Sequence, residues 1–150
     1  MNRLPLPLGA LAGLALTVTA CGQFGTSTGY SASLSGANQR PIVTTSATGQ
    51  TSLTLQGRTL TVLGTFEGLS SAVTVAHIHG PADENTNAPV LLPLVIDQVT
   101  NGSRSGRISG TFTLTDQQIT WLNNRQLYVN VHSQNYPNGE IRGQVERLLK

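Results

Sequence analysis

The stretch that decides the fold is residues 51–66, which read TSLTLQ, GR and TLTVLGTF. Apolar and polar residues alternate in both halves, so that Leu53 and Leu55 share one face, as do Leu60 and Val62. A period of two is typical of a β-strand with one buried face. The two-residue Gly-Arg connection is typical of a hairpin turn. The sequence therefore predicts two antiparallel strands here.

Similar short segments, separated by Gly, Pro and Asn, cover most of the remaining chain. They are residues 31–35, 73–79, 90–96, 107–114, 127–132 and 140–145. About eight short strands at near-regular spacing predict an all-β domain, an antiparallel Greek-key sandwich or barrel. Residues 90–96 are mostly apolar, which favours a strand covered on both faces, although Pro93 favours an edge or a bulge.

One segment interrupts the alternation. Thr115 and Gln118 have the spacing of a capping box, in which each side chain binds the backbone N–H of the other residue. Ile119 and Leu122 follow at helical spacing. We expect one short helix after Thr115.

The N-terminus has the features of an export signal. Residues 1–20 contain one early positive charge, Arg3, followed by an apolar run and small residues. Cys21 follows at once, and the sequence around it resembles the bacterial lipobox, in which the cysteine is lipidated. Ordinary cleavage beside a free thiol is the alternative. We expect a signal peptide at 1–20, a lipidated tether at 21–29 and one domain at 30–150, held by lipid in the cell envelope and facing the periplasm or the exterior.

Composition excludes several functional classes. The chain has 150 residues, of which 11% are charged, and a formal net charge of +2. Such a small and scattered positive charge argues against a nucleic-acid-binding protein. A single cysteine excludes an intramolecular disulfide and any metal site built from several thiolates.

The three histidines are the best candidates for chemistry. His77 and His79 are two residues apart in one predicted strand and therefore project from the same face. If Val129 and Val131 point into the core, His132 points outward, so all three imidazoles lie on the exterior of the sandwich. Three imidazole ligands with an open fourth position suit zinc or copper. The alternative is that the rings bind loop backbone and shape a polar edge.

Two other groups of polar residues favour simpler interpretations. Asp83 and Glu84 offer oxygen atoms of the kind that calcium binds, but their spacing favours a solvated turn. Glu140, Arg142 and Gln144 alternate along a predicted strand and are interpreted as a ladder of charge on the surface.

Three stretches resemble the CHRD domain, a family named for chordin and common in bacterial secreted proteins and lipoproteins. They read AHIHGPA at 76–82, YVNVH at 128–132 and PNGEIRGQ at 137–144. The resemblance extends from about residue 30 to 147 and implies an immunoglobulin-like or related β-sandwich, with no agreed activity in bacteria. Residues 38–41, NQRP, depart from the Glu-Val-Pro-Pro-like stretch that is common in the family.

A more distant resemblance concerns the histidines. A His-x-His pair followed late in the chain by Val-His is similar to the copper ligands of copper/zinc superoxide dismutase, which implies that His77, His79 and His132 are ligands. A complete two-metal site is excluded, because the chain has no further histidine. We therefore expect a non-catalytic, membrane-anchored module that binds an unknown protein or small ligand, or alternatively a domain that binds one copper or zinc ion. A weak redox enzyme is the least favoured interpretation.

Overall fold

The computed structural model of the protein describes residues 25–97 and 100–149. Its elements in chain order are β1 (Ser27–Ser35), a 3-10 turn (Gly36–Asn38), β2 (Thr48–Gln56), β3 (Thr59–Glu67), β4 (Val73–His79), β5 (Val90–Asp97), β6 (Gly106–Thr113), α1 (Asp116–Asn123), β7 (Tyr128–Ser133), β8 (Ile141–Gln144) and β9 (Glu146–Arg147). In these ranges no helix has both the length and the apolar character needed to span a membrane. The predicted signal peptide and Cys21 lie outside the described residues.

Eight strands close into a barrel. Neighbouring strands follow the order β1, β2, β3, β6, β5, β4, β7 and β8, and β8 pairs with β1 again through Ser35 and Arg142. All pairings are antiparallel, and β9 continues the line of β8 beside the first half of β1. Because β4 is not the neighbour of β3, nor β7 of β6, the chain twice crosses an end of the barrel. The predicted all-β Greek-key class with one short helix is confirmed.

The inward faces of the strands fill the barrel with apolar side chains. Along β2, β3, β4 and β7 the buried apolar side chains include Leu53, Leu55, Leu60, Val62, Ala76, Ile78, Val129 and Val131. These are the faces that the alternation predicts. Burying an aliphatic side chain of the size of valine or leucine contributes about 1.5–3 kcal/mol. Because Ala76 in β4 and Val131 in β7 point inward, the next residue along each strand, His77 and His132, points outward.

Helix α1 begins where the capping box predicts. The Thr115 hydroxyl accepts a hydrogen bond from the Gln118 backbone N–H at 3.2 Å, and the Gln118 side chain accepts one from the Thr115 N–H at 2.9 Å. Leu122 anchors the helix in the core and is 1% exposed. The residues that cap the helix, Thr115 and Gln118, are only three positions apart in the chain. The sequence alone therefore predicts where the helix begins.

One strand boundary and the burial of one strand differ from the sequence predictions. Strand β1 begins at Ser27, so the last three residues of the predicted tether pair with β2 instead. Strand β5 is not covered on both faces, because Val90 and Val95 are 52% and 58% exposed. The reason is that β5 is part of the barrel wall, so one of its faces meets the core and the other meets solvent. An apolar run by itself does not distinguish these two environments.

Pro93 lies at a local edge, as the sequence predicts. Strand β5 pairs with β4 from Val90 to Leu94, whereas its pairing with β6 includes only Val95 to Asp97. Pro93 therefore lies in a part of β5 whose β6 side has no partner strand among the described residues. The register also shifts between Ile78 and His79, which places an irregularity in the β4–β5 pair close to the proline.

The expected surface position of Glu140 is wrong, because its side chain is fully buried. Its carboxylate accepts four hydrogen bonds: from the Thr45 hydroxyl, the Ser70 N–H and hydroxyl, and the Ser133 hydroxyl. Thr45 and Ser70 belong to connections before β2 and after β3, so Glu140 ties two loops to the barrel. The alternation around Glu140 does not indicate these contacts, because the donors Thr45 and Ser70 lie 70 or more positions away in the chain.

These hydrogen bonds determine how Glu140 titrates. Burial alone raises the pKa of Glu140, but the hydrogen bonds from Ser133, Thr45 and Ser70 outweigh burial and lower the pKa below its usual value. A carboxyl group with a lowered pKa in the folded state stabilises that state at any pH above its pKa in the unfolded chain. This stabilisation is lost as the pH falls through the folded-state pKa.

We predict that Glu140→Gln lowers the free energy of unfolding by about 1–2 kcal/mol near neutral pH, because the amide keeps the shape but loses the charge-assisted hydrogen bonds. The difference between wild type and variant should shrink as the pH falls below about 4.3, the usual pKa of glutamate in an unfolded chain, and should disappear as the pH falls through the lower pKa of the folded state. Urea unfolding at several pH values measures both effects. The matched control is Glu67→Gln at an exposed glutamate, and a pH-independent difference for Glu140→Gln would contradict the prediction.

Candidate metal centre

Adjacent strands bring the three histidines together. Strand β4 pairs directly with β7, and His77 and His79 project from the outer face of β4 beside His132 on β7. The ring centroids are 5.1 to 6.0 Å apart, and one nitrogen from each ring lies within 4.8 Å of the others. A register shift in β4 between Val73 and Ala76 lies opposite His132. The convergence that the sequence left undecided is therefore present.

Two backbone carbonyls fix the tautomers of two rings. His79 Nδ1 lies 2.9 Å from the Ala88 carbonyl oxygen, and His132 Nδ1 lies 2.9 Å from that of Pro137. A carbonyl oxygen only accepts, so each Nδ1 carries the proton and donates it. In a neutral imidazole the other nitrogen, Nε2, then holds a lone pair. Metal-binding histidines in proteins are oriented in this way by a hydrogen bond from the nitrogen that does not bind the metal.

The inward nitrogen of His79 has no partner. Among the described residues, His79 Nε2 is the buried side-chain nitrogen or oxygen atom that lacks a hydrogen bond. Leaving a buried polar atom unpaired costs about 1–3 kcal/mol. This atom belongs to a ring whose other nitrogen is already bound to Ala88.

The spacing of the nitrogens suits one small ion. Imidazole nitrogens at about 2.0–2.1 Å from a zinc ion lie about 3.3–3.6 Å from one another. His77 Nδ1 and His132 Nε2 are 3.4 Å apart. No separation within the set exceeds 4.8 Å, so the widest separation is within about 1.5 Å of the spacing that an ion requires.

The cluster is more buried than expected. The sequence predicts that the imidazoles lie on an exposed exterior face, and they do project outward from the barrel, but His79 and His132 are only 7% and 6% exposed. The loops at residues 80–89 and 134–140 supply the two carbonyl groups and lie over the rings. The expectation of exposure is therefore wrong, because strand alternation specifies a face of the sheet and does not specify what covers it. His77 remains partly exposed.

The side chains around the histidines form a second group that the sequence analysis missed. The Tyr128 ring stacks on the His79 ring, with centroids 4.9 Å apart and planes 5° from parallel. The Arg142 guanidinium lies 3.5 Å from the centroid of the Tyr128 ring. Arg142 is 1% exposed, so its expected place in a surface ladder of charge is wrong. Tyr128 and His132 are four residues apart in one strand and therefore point to the same face. The sequence alone could have placed Tyr128 beside the histidines.

The remaining acidic candidates do not join the cluster. Asp83 accepts hydrogen bonds from the Asn85 N–H and the Thr86 hydroxyl within its own exposed turn. Glu84 lies 3.6 Å from Arg125 at the surface. These contacts agree with the solvated turn that the spacing favours.

The surroundings lower the pKa of each of the three histidines. Burial is the main cause for all of them, and the neighbouring His132 lowers the pKa of His77 further. The carbonyl groups of Ala88 and Pro137 act in the opposite direction but do not outweigh burial. The three rings are therefore neutral near physiological pH and have lone pairs available for a ligand.

We predict that all three imidazoles of the metal-free protein titrate below the usual value of about 6.5. Because the unfolded chain takes up protons on its histidines at a higher pH than the folded domain, the free energy of unfolding should fall as the pH drops below about 6.5. NMR titration of the imidazole signals measures the first effect, and single His→Phe variants assign the signals. A midpoint at or above the usual value for any ring would contradict the prediction.

Comparison with known families agrees with the motifs around this centre. The family model described as the CHRD domain matches residues 30–145. Searches of curated proteins and of solved structures gave no significant match. The matched region contains the barrel from Tyr30 in β1 to Val145, all three histidines and the loops that cover them. This chain belongs to the CHRD domain family.

Proposed function

We propose that this protein is a non-catalytic binding module of the cell envelope whose ligand is a single copper or zinc ion, bound by His77, His79 and His132. The observation that carries the proposal is His79 Nε2, a buried nitrogen without a hydrogen-bond partner that faces two other imidazoles. An ion at the centre of the three rings would give this atom a partner and remove the cost of its burial. Both carbonyl contacts support the proposal, since they place the protons of His79 and His132 on Nδ1 and leave a lone pair on each Nε2. In the metal-free protein the lone pair of His132 Nε2 faces His77 Nδ1 at 3.4 Å, and an ion would replace that contact.

The chemistry of the three ligands limits the choice of ion. Neutral imidazole nitrogens suit zinc and copper, whereas calcium and magnesium need oxygen ligands. Three protein ligands leave a fourth position open, and His77 is the ring through which solvent reaches the group. The whole chain has only three histidines, so a second site of this kind in the same chain is excluded.

A binding role suits this centre better than a catalytic one. General acid–base chemistry needs a titratable group that is free to exchange a proton near the reacting atoms. In the proposed centre each imidazole would be a ligand, and the groups that orient two of them are backbone carbonyls, which do not titrate. Capture or storage of the ion is therefore the role that we propose.

We predict that the purified full-length protein binds one equivalent of Cu²⁺ or Zn²⁺ and that His79→Ala or His132→Ala weakens this binding by more than about 100-fold. Calorimetric titration of the metal-free protein measures affinity and stoichiometry, and elemental analysis gives the metal content. The protein should bind Cu²⁺ more tightly than Zn²⁺.

The matched control for these variants is Glu84→Gln, which removes a possible ligand from the exposed loop that covers His79. It should bind metal as the wild type does. A wild-type protein that binds less than a tenth of an equivalent of either ion would overturn the metal proposal. A tethered module with a protein or small-molecule partner would then be the remaining interpretation.

The proposed location depends on Cys21 and on the apolar segment before it. Strand β1 begins at Ser27, so the barrel starts six residues after the proposed lipid. Such an anchor would hold the domain at a membrane through its N-terminus, with no spanning helix needed.

We predict that Cys21→Ser moves the protein from the membrane fraction to the soluble fraction, because a serine in this position cannot form the thioether to the lipid. Fractionation of cells that express each form, followed by immunoblotting, measures the change. Ser27→Ala near the same end of the domain is the control and should stay with the membrane. Retention of the Cys21→Ser protein in the membrane fraction would show that the anchor is something else.

A further inference from the structure

Arg142 is a buried cation without a carboxylate partner. Its side chain is 1% exposed, and among residues 25–97 and 100–149 no salt bridge includes it. It donates instead to neutral acceptors, the Asp83 carbonyl oxygen at 2.7 Å, the Asn87 side-chain oxygen at 3.0 Å and, more distantly, the Gln144 side-chain oxygen at 3.4 Å. Burying a charged group is costly unless its hydrogen bonds are made. A charge retained under these conditions suggests a task other than pairing with an opposite charge.

The guanidinium reaches the metal centre through one aromatic ring. Strand β7 lies between β4 and β8, so Tyr128 on β7 has His79 on one side and Arg142 on the other. The distances are 4.9 Å between the ring centroids of His79 and Tyr128, and 3.5 Å from the Arg142 guanidinium to the Tyr128 centroid. The three groups form one stack, whose inner end is the ring with the unpartnered nitrogen. Movement of the guanidinium therefore leaves one face of Tyr128 without support.

The guanidinium also reaches the centre through the covering loop. Asp83 and Asn87, its two partners in the loop at 80–89, precede Ala88. The Ala88 N–H donates to the Tyr128 hydroxyl at 3.1 Å, and the Ala88 carbonyl oxygen accepts from His79 Nδ1 at 2.9 Å. The position of the loop thus determines which nitrogen of His79 carries the proton.

We propose that Arg142 is a positioning residue for the metal centre, which clamps the loop at 80–89 and the Tyr128 ring so that His79 presents an unprotonated Nε2 to the other two imidazoles. The ligand to which this orientation matters is the copper or zinc ion, and in this respect the inference rests on the proposed function. The effect on the His79 tautomer is independent of any metal. A planar, forked guanidinium suits this task, because one group contacts two acceptors of the loop and covers the face of Tyr128.

The test is Arg142→Lys, which keeps the positive charge and loses the planar fork. In the wild-type protein without metal, ¹⁵N–¹H correlation spectra of the imidazoles above pH ~7 should show His79 as the tautomer protonated on Nδ1. In Arg142→Lys the same ring should show a mixture of tautomers, while His132 keeps its own because the Pro137 carbonyl is untouched. The affinity for Cu²⁺ should fall by about tenfold, within the range for residues that orient ligands.

Two further variants keep the result interpretable. Arg107→Lys at an exposed position is the matched control and should alter neither measurement. Asn87→Ala removes one acceptor of Arg142 from an exposed position, so it should shift the His79 tautomer in the same direction by a smaller amount. If Arg142→Lys fails to fold, the Asn87→Ala result decides.

The outcomes separate this inference from the proposed function. An unchanged His79 tautomer and unchanged Cu²⁺ affinity in Arg142→Lys and Asn87→Ala would overturn the inference, even if the wild type binds metal. A shifted tautomer in a protein that binds no ion would sustain the positioning role of Arg142 and reject the metal site. A weakened affinity with an unchanged tautomer would also overturn it, since the effect would then act on stability or charge alone.

Discussion

The outer face of β4, β7 and β8 is polar and yet buried, and this is possible only because loops supply its hydrogen-bond partners. An unpaired buried polar group costs as much as a typical stabilising interaction contributes. Glu140 meets this constraint with hydroxyl groups and an N–H, Arg142 with a carbonyl, an amide and an aromatic face, and His132 with the Pro137 carbonyl. The barrel and its loops therefore fold as one unit. Within residues 25–97 and 100–149, His79 Nε2 is the buried side-chain nitrogen or oxygen that lacks such a partner.

The sequence predicts the barrel well, because each strand is encoded in its own alternation. The directions of Ile78, Val129 and Val131 follow from neighbours one or two positions away, and so does the shared face of the three histidines. The cap of α1 is equally local. Side-chain parity was thus enough to identify the three members of the candidate centre.

What the sequence does not predict is which strand faces are covered. Glu140 and Arg142 have the alternation of surface residues, and their burial depends on loops that arrive from positions 55 to 95 residues away. The exposed valines of β5 are the opposite case, since nothing in the apolar run indicates that one face meets solvent. The three stretches that carry the family resemblance, at 76–82, 128–132 and 137–144, are also those that build the buried polar layer. The family motifs therefore indicate which strand faces are covered by loops, whereas the alternation of apolar and polar residues does not.

The local edge at Pro93 affects how the domain behaves among copies of itself. A closed barrel protects its backbone N–H and C=O groups, and the part of β5 that precedes Val95 is a place where a foreign strand could add. Proline in that part has no N–H to donate, which weakens any intermolecular ladder that starts there. Proline at this edge therefore opposes aggregation between copies of the domain without altering its interior.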